Sequence, residues 1–396
     1  MNSWRECKLG EVVDIGSSKR IFYNEYVDSG VPFYRSKEVI EKYSRKNVST
    51  ELFITKDKFQ EIKNRFGVPQ SGDMLLTSVG TLGIPYIVED DEEFYFKDGN
   101  LTWFKNFSNE LLNQYLYYWI ISPLGKDSLL SSSIGSTQPA LTIQGLKNLD
   151  ISLPPLEEQK AIAEVLSSLD DKIDLLHRQN HTLEELAQTL FRQWFIEEAD
   201  EGWEAGTLDD ILSVKGGTTP STTNSDFWDG NISWTTPRDL SSHVGVYFFR
   251  TERKITEEGL KKISSGLLPI GTVLLSSRAP VGYLAISDIP VAINQGYIAI
   301  LDDKDFSKYF IYLWLKENME YIISNANGST FLEISKSVFK SLEIVMPPKE
   351  LRLKFDYEVI SIFEKIKTNS KQIQTLENLR DTLLPKLLSG EVRVEG

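Results

Sequence analysis

From Pro155 onward, apolar residues recur at alternating spacings of four and three: Ile162, Leu166, Leu169, Ile173, Leu176, Leu183, Ala187, Leu190 and Trp194, with Asn180 filling its place in the register. Sustained over more than four heptads, this alternation predicts a seam along one face of a long helix. A second seam runs Phe355, Val359, Ile362, Ile366, Asn369, Ile373, Leu376, Arg380, Leu383 and Leu387. Each helix, of about 40 residues and ~60 Å, would leave an apolar stripe in water if it stood alone. The simplest partner for each is the other, antiparallel, because the chain traverses a whole domain between them. Asn180 and Asn369 interrupt the seams with amides that favour one register at some cost in stability, or that are hydrated at a gap.

Ahead of each seam the pattern changes. Short runs of Val, Ile, Phe, Tyr and Thr are punctuated by Ser71-Gly72-Asp73 and Pro269-Ile270-Gly271, which predicts compact β-rich domains. Helical pieces are expected at Glu110–Ile121 and Ser307–Ile323. The two halves also match each other. Trp4 to Leu9 aligns with Trp203 to Leu208, and Gly72 to Ser78 with Gly271 to Ser277, at an offset of 199, with Gly83 answering Gly282. Val31 to Val39 aligns with Ile232 to Leu240 at 201, and Gly135-Ser136-Thr137, Pro154-Pro155 and Leu183 to Leu186 recur at 193. Ordered landmarks with small drifts describe a duplicated unit with loop insertions. The expected architecture is α+β: a β-rich domain over 1–155, a central long helix over 156–200, a second domain over 201–348 and a distal long helix over 349–396, with the helices forming an antiparallel coiled coil and the halves related by a pseudo-twofold.

Composition narrows the function classes. The 396-residue chain has one cysteine, Cys7, and three histidines, so neither a disulfide framework nor a structural zinc cluster is expected. No apolar run or N-terminal pattern suggests a membrane span or signal peptide, which places the expected protein in the cytoplasm. The net charge of −14 opposes strong unaided attraction to phosphate. That charge is unevenly placed: 156–202 has four basic against twelve acidic residues, whereas 19–65 has eleven basic against seven acidic. A local basic face is expected in the first domain, and the acidic helix suits a basic partner or is simply solvated.

The proline pair followed by Leu156-Glu157-Glu158-Gln159-Lys160-Ala161-Ile162, the terminal Leu383-Leu384-Pro385-Lys386-Leu387-Leu388-Ser389-Gly390-Glu391, and Gly216-Gly217-Thr218-Thr219-Pro220-Ser221 leading to Phe227-Trp228 together resemble type I restriction-modification specificity subunits over essentially the whole chain. The first half departs from this pattern with Gly16-Ser17-Ser18-Lys19, and the second proline pair precedes Lys349-Glu350. The resemblance implies two target-recognition domains that each read half of a split double-stranded DNA target. It also implies helices that set the spacer and dock two methyltransferase subunits, through which restriction endonuclease subunits join. S-adenosylmethionine, ATP and magnesium would then belong to those partners, and no cofactor to this chain.

Base edges are read best by Arg or Lys at guanine and by Asn or Gln at adenine. The candidates for DNA contact in the first domain are Arg35, Lys37, Thr77, Ser78 and Thr81; in the second they are Thr236, Arg238, Ser277, Arg278, Asn294 and Gln295. Lys42, Arg45, Lys46, Lys261 and Lys262 suit phosphate contacts. Leu169, Ile173, Leu176, Asn180, Leu183, Ile362, Ile366, Asn369, Ile373 and Leu376 are expected to pair the helices.

Catalytic signatures are missing. Leu153-Pro154-Pro155-Leu156 and Met346-Pro347-Pro348-Lys349 have neither the amide nor the aromatic of an adenine methyltransferase tetrad, and no phosphate-binding loop occurs. The run from Asp57 to Lys63 reads as a solvated helix face rather than a nuclease site. His177 and His181 lack the intervening Glu of a zinc protease. A structural adaptor that braces protein partners without reading DNA is the alternative at this stage.

Overall fold

The computed structural model describes residues 4–89, 92–135, 139–241, 243–302, 304–328 and 332–394. Parts of the Gly135-Ser136-Thr137 and Gly328-Ser329-Thr330 landmarks lie outside them. Two compact units emerge, one of 1–172 with 376–396 and one of 173–375. The helices are therefore not segments apart: Leu156–Arg192 and Lys349–Leu388 each run through both units.

In the first unit, the ribbon Arg5–Lys8 pairs antiparallel with Asp150–Leu153, with Cys7 opposite Ile151. A four-stranded antiparallel sheet has the order Asp14–Gly16, Leu101–Lys105, Met74–Thr77, Pro85–Ile87. Its strand Met74–Thr77 is buried throughout, which explains an apolar run without alternation. A smaller sheet joins Tyr26–Val27, Phe53–Ile54, Val31–Tyr34 and Tyr95–Phe96. The core collects Leu9, Met74, Leu76, Phe104, Tyr115 and Trp119 together with Ile162, Leu166, Leu384 and Leu387 of the two helices. The helix expected from Glu110 begins at Asn113. Leu112 stays extended because its N–H donates to Gln159 Oε1 at 2.9 Å.

The second unit repeats this plan. Glu204–Thr207 pairs with Glu343–Met346, with Gly206 opposite Ile344. The main sheet has the order Ser213–Lys215, Tyr297–Leu301, Val273–Ser277, Val281–Ser287, Tyr247–Phe248, and a second sheet has the order Arg253–Ile255, Trp228–Thr235, Ala292–Ile293. The helical piece expected over Ser307–Ile323 is two helices, Lys308–Glu317 and Met319–Ser324. Ser307 caps the first by accepting from Phe310 N at 3.1 Å.

The duplication extends to individual hydrogen bonds. Thr77 Oγ1 accepts from Ile84 N at 2.9 Å, and Ser276 Oγ accepts from Tyr283 N at 2.8 Å. Ser78 N donates to Asn100 O and Ser277 N to Gly296 O, both at 2.8 Å. Gly72 and Gly271, which precede the central strands, both adopt positive φ, 86° and 94°, a conformation that a side chain would strain.

Within each unit the helices pair antiparallel. In the first, Asp170 meets Arg380 at 2.9 Å while Glu158 meets Arg393 at 3.5 Å. In the second, Asn180 Nδ2 donates to Ser370 Oγ at 3.1 Å, Asn369 Nδ2 to Gln179 Oε1 at 3.4 Å, and Phe191 packs on Phe355. Ile173, Leu176, Ile362, Ile366, Asn369 and Ile373 are buried, whereas Leu169, Leu183 and Leu376 are half-buried. The expected seam slips by one residue at its end. Phe191 is buried and Leu190 and Trp194 only partly so, where the α-helix gives way to a π-turn over Gln193–Glu197. Phe191 lies ahead of that turn, so the slip is the drift of a straight α-helix, ~20° per heptad, which carries the buried face from Leu190 to Phe191.

Each helix start is clamped to its own domain by a buried polar side chain. Gln159, fully buried, donates to Glu110 O at 2.7 Å and Pro154 O at 3.0 Å while accepting from Leu112 N. Arg352, at the matching position, donates to Pro347 O at 3.1 Å and to Asp305 O, with its guanidinium 3.8 Å from the Phe306 ring centroid. The departure at the second proline pair is thus a different side chain doing the same work.

Candidate nucleic-acid interface

In the second domain three connections meet at one end of the central strand Val273–Ser277: the start of the short helix Pro237–Ser241, the segment 278–280, and the turn 294–296. They enclose an open depression of about 340 Å³ lined by Pro237, Arg238, Ser241, Arg278, Ala279, Asn294 and Gly296. The walls are tied together through the backbone: Asn294 N donates to Thr235 O at 3.0 Å and Ser277 N to Gly296 O at 2.8 Å.

Ser241 Oγ donates to Arg238 O at 2.7 Å, but the two guanidinium groups in this depression remain unspent. Arg238, whose side chain is 82% exposed, lies 3.8 Å from Glu252, and Arg278 lies 3.9 Å from Glu333. Those separations are ion pairs without hydrogen bonds. Among the described residues neither guanidinium donates one. Asn294 Oδ1 accepts from Gly296 N at 2.9 Å, which leaves the two amide N–H donors of its side chain for other partners.

The other candidates of this domain have different surroundings. Thr236 immediately precedes the short helix, its N–H donating to Asp239 Oδ2 at 2.8 Å and its hydroxyl to the same oxygen at 3.2 Å. Ser277 is buried. Gln295 is exposed and accepts from Thr219 Oγ1 at 2.7 Å. Lys261 pairs with Glu258 at 2.5 Å, and Lys262 lies 5.7 Å from the Phe227 ring centroid.

In the first domain most of the basic run is neutralised. Arg35 donates to buried Glu38 at 3.0 Å, Lys37 donates to Ser49 O at 3.0 Å, and Lys42 pairs with Glu92 at 2.8 Å. Glu92 also accepts from Tyr34 and Tyr86, whose hydroxyls burial and that carboxylate push well above the usual tyrosine range. Lys58 pairs with Glu25 at 3.0 Å, Arg65 with Glu61 at 3.2 Å and Arg45 with Asp171 at 3.7 Å. The basic face expected over 19–65 is therefore largely a set of ion pairs. Lys46 is exposed. Thr77 and Ser78 are buried, Ser78 Oγ lying 2.6 Å from Thr102 Oγ1. They brace the sheet, while Thr81, beyond them, is exposed.

Arg253 escaped the sequence reading. Its guanidinium stacks 3.5 Å from the Trp228 ring centroid and 5.8 Å from that of Trp234, a cation–π arrangement that leaves N–H edges available. The cluster Arg250, Arg253, Lys254 in an otherwise acidic domain was the available signal.

Comparison with known proteins gives this arrangement its context. The sequence model of the type I restriction modification DNA specificity domain matches twice, over residues 1–185 and 200–378. The type I restriction enzyme MjaIX specificity subunit of Methanocaldococcus jannaschii is 30% identical over 98% of this chain and 92% of its own length. The HindI specificity subunit of Haemophilus influenzae is 26% identical over 99% of this chain and 100% of its own. The crystal structure of a type I restriction-modification S subunit from M. genitalium shares the fold, with a TM-score of 0.59 at 18% identity over 98% of this chain and 96% of that one. The chain belongs to the type I restriction-modification DNA specificity family.

Proposed function

We propose that this chain is the non-catalytic specificity subunit of a type I restriction-modification complex and reads a split double-stranded DNA target, one part with each domain. The observation that supports this most is the duplicated hydrogen-bonded frame, which presents different side chains at the same corner in each half. Frame bonds made by backbone and buried hydroxyls hold a reading surface still, and substitution at the corner changes what is read without refolding the domain. An adaptor without DNA readout has no need of unspent guanidinium and amide donors around one depression.

In this reading the helices set the number of unread base pairs and dock two methyltransferase subunits, through which restriction endonuclease subunits join in the cytoplasm. Those partners hold S-adenosylmethionine, ATP and magnesium. No helix among the described residues is long and apolar enough to cross a membrane. The test is coexpression with the cognate methyltransferase and mapping of methylated adenines across the host genome. A split motif with a fixed spacer is expected; scattered methylation without one contradicts the reading. Lengthening should be made away from the clamped helix starts. Seven residues added after Lys172 and seven after Thr375 keep both seams in phase. They add about 10 Å at ~1.5 Å per residue, which is about three base pairs at ~3.4 Å each. Both half-sites should survive with that longer spacer.

A further inference from the structure

We infer that the depression of the second domain is a guanine reader, with Arg278 and Arg238 as its specificity-determining residues. The inference rests on the DNA-reading function above and names the base that one corner selects. A guanine presents two acceptors, O6 and N7, on its major-groove edge, and a guanidinium fork meets both at once. Two such forks line this depression. Each is held near a carboxylate, Glu252 at 3.8 Å and Glu333 at 3.9 Å, close enough to orient it and too far to consume its donors. Arg35 shows the opposite case, since its Nη2 donates to buried Glu38 at 3.0 Å.

The mounting of Arg278 strengthens the assignment. Its backbone bridges to Glu333, and Ile334 N donates to Ser277 O at 3.0 Å, so the root of the side chain is fixed by hydrogen bonds on the next segment. A base reader needs that fixed root, because a fork that swings freely discriminates poorly. Phosphate binding would not require it. The equivalent corner of the first domain carries Lys37, Val79 and the turn 97–99 in place of Arg238, Arg278 and 294–295. Lys37 is spent there on Ser49 O at 3.0 Å, so the two half-sites should differ in guanine readout.

The test uses the complex of full-length chain and cognate methyltransferase with Arg278→Ala and Arg238→Ala, which remove the donors. Methylated motifs are mapped for wild type and variants, and methylation is also measured on duplexes carrying 7-deazaguanine, which lacks the N7 acceptor. The expected result is a guanine in one half-site of the wild-type motif whose discrimination falls about tenfold to a hundredfold in a variant, with the other half and the spacer unchanged. Wild type should be slowed by 7-deazaguanine at that position and the affected variant should not. Unchanged discrimination in both variants, relaxation at a base other than guanine, or equal sensitivity of wild type and variants to 7-deazaguanine overturns the inference. A wild-type complex with no split motif overturns the function on which it rests.

Discussion

The two domains share bonds that their sequences barely share. Thr77 and Ser276 accept the same N–H, Ser78 and Ser277 donate to the same carbonyl position, and Leu141 and Ile334 close the same bridge onto Ser78 O and Ser277 O at 2.9 and 3.0 Å. At the corner above this frame, the first domain offers Lys37, Val79 and Lys97, and the second Arg238, Arg278 and Asn294. Lys97 N donates to Tyr34 O as Asn294 N does to Thr235 O, so the corner positions correspond although the first domain holds one more residue in the following turn. The difference teaches where variation is tolerated. Frame positions hold buried polar groups whose loss leaves partners unsatisfied; corner positions are half-buried or exposed and can change without stranding them.

That contrast can be broken at three depths. The largest effect is expected at the helix clamps. Gln159→Ala strands the Leu112 N–H and two carbonyls and should lower unfolding stability by about 2–4 kcal/mol. Arg352→Ala should cost a similar amount, and Arg352→Gln less, because an amide does the equivalent work in the first unit. Urea unfolding of the full chain measures all three; losses below ~0.5 kcal/mol would mean that the clamps are incidental. A smaller effect, of opposite sign, is expected in the seam. Asn369 is fully buried and its Oδ1 has no partner among the described residues, so Asn369→Leu should raise stability by about 1 kcal/mol while weakening register. Thermal unfolding and chain crosslinking read the two consequences separately. The smallest effect is expected at the corners: Lys37→Ala and Arg238→Ala should each change stability by less than ~0.5 kcal/mol, as exposed side chains outside the core do.

The seams and the repeat were legible because both follow from periodicity, and the heptad survives in sequence wherever the helix stays regular. It failed at Phe191, ahead of the π-turn, where the accumulated drift of a ~3.6-residue helix against the heptad moves the buried face by one residue. The strand positions of the frame are legible as matched landmarks, but the burial of Thr77 and Ser78 is not. A hydroxyl reads alike in sequence whether it points into a sheet or out of it. The basic run misled for a related reason: Glu92, which neutralises Lys42, and Asp171, which pairs with Arg45, are remote in the chain. Arg238, Arg278 and Asn294 could be named individually from residue type and alignment. Their convergence on one depression depends on three separate connections meeting, and no local pattern encodes that.

Replacing residues 203–348 by the corresponding domain of another family member, with the cognate methyltransferase present, tests independent reading by the two domains most directly. Genome-wide methylation mapping should show one half of the motif replaced, the other half intact and the spacer conserved. Alteration of both halves would contradict the account, because the domains would then not read separately.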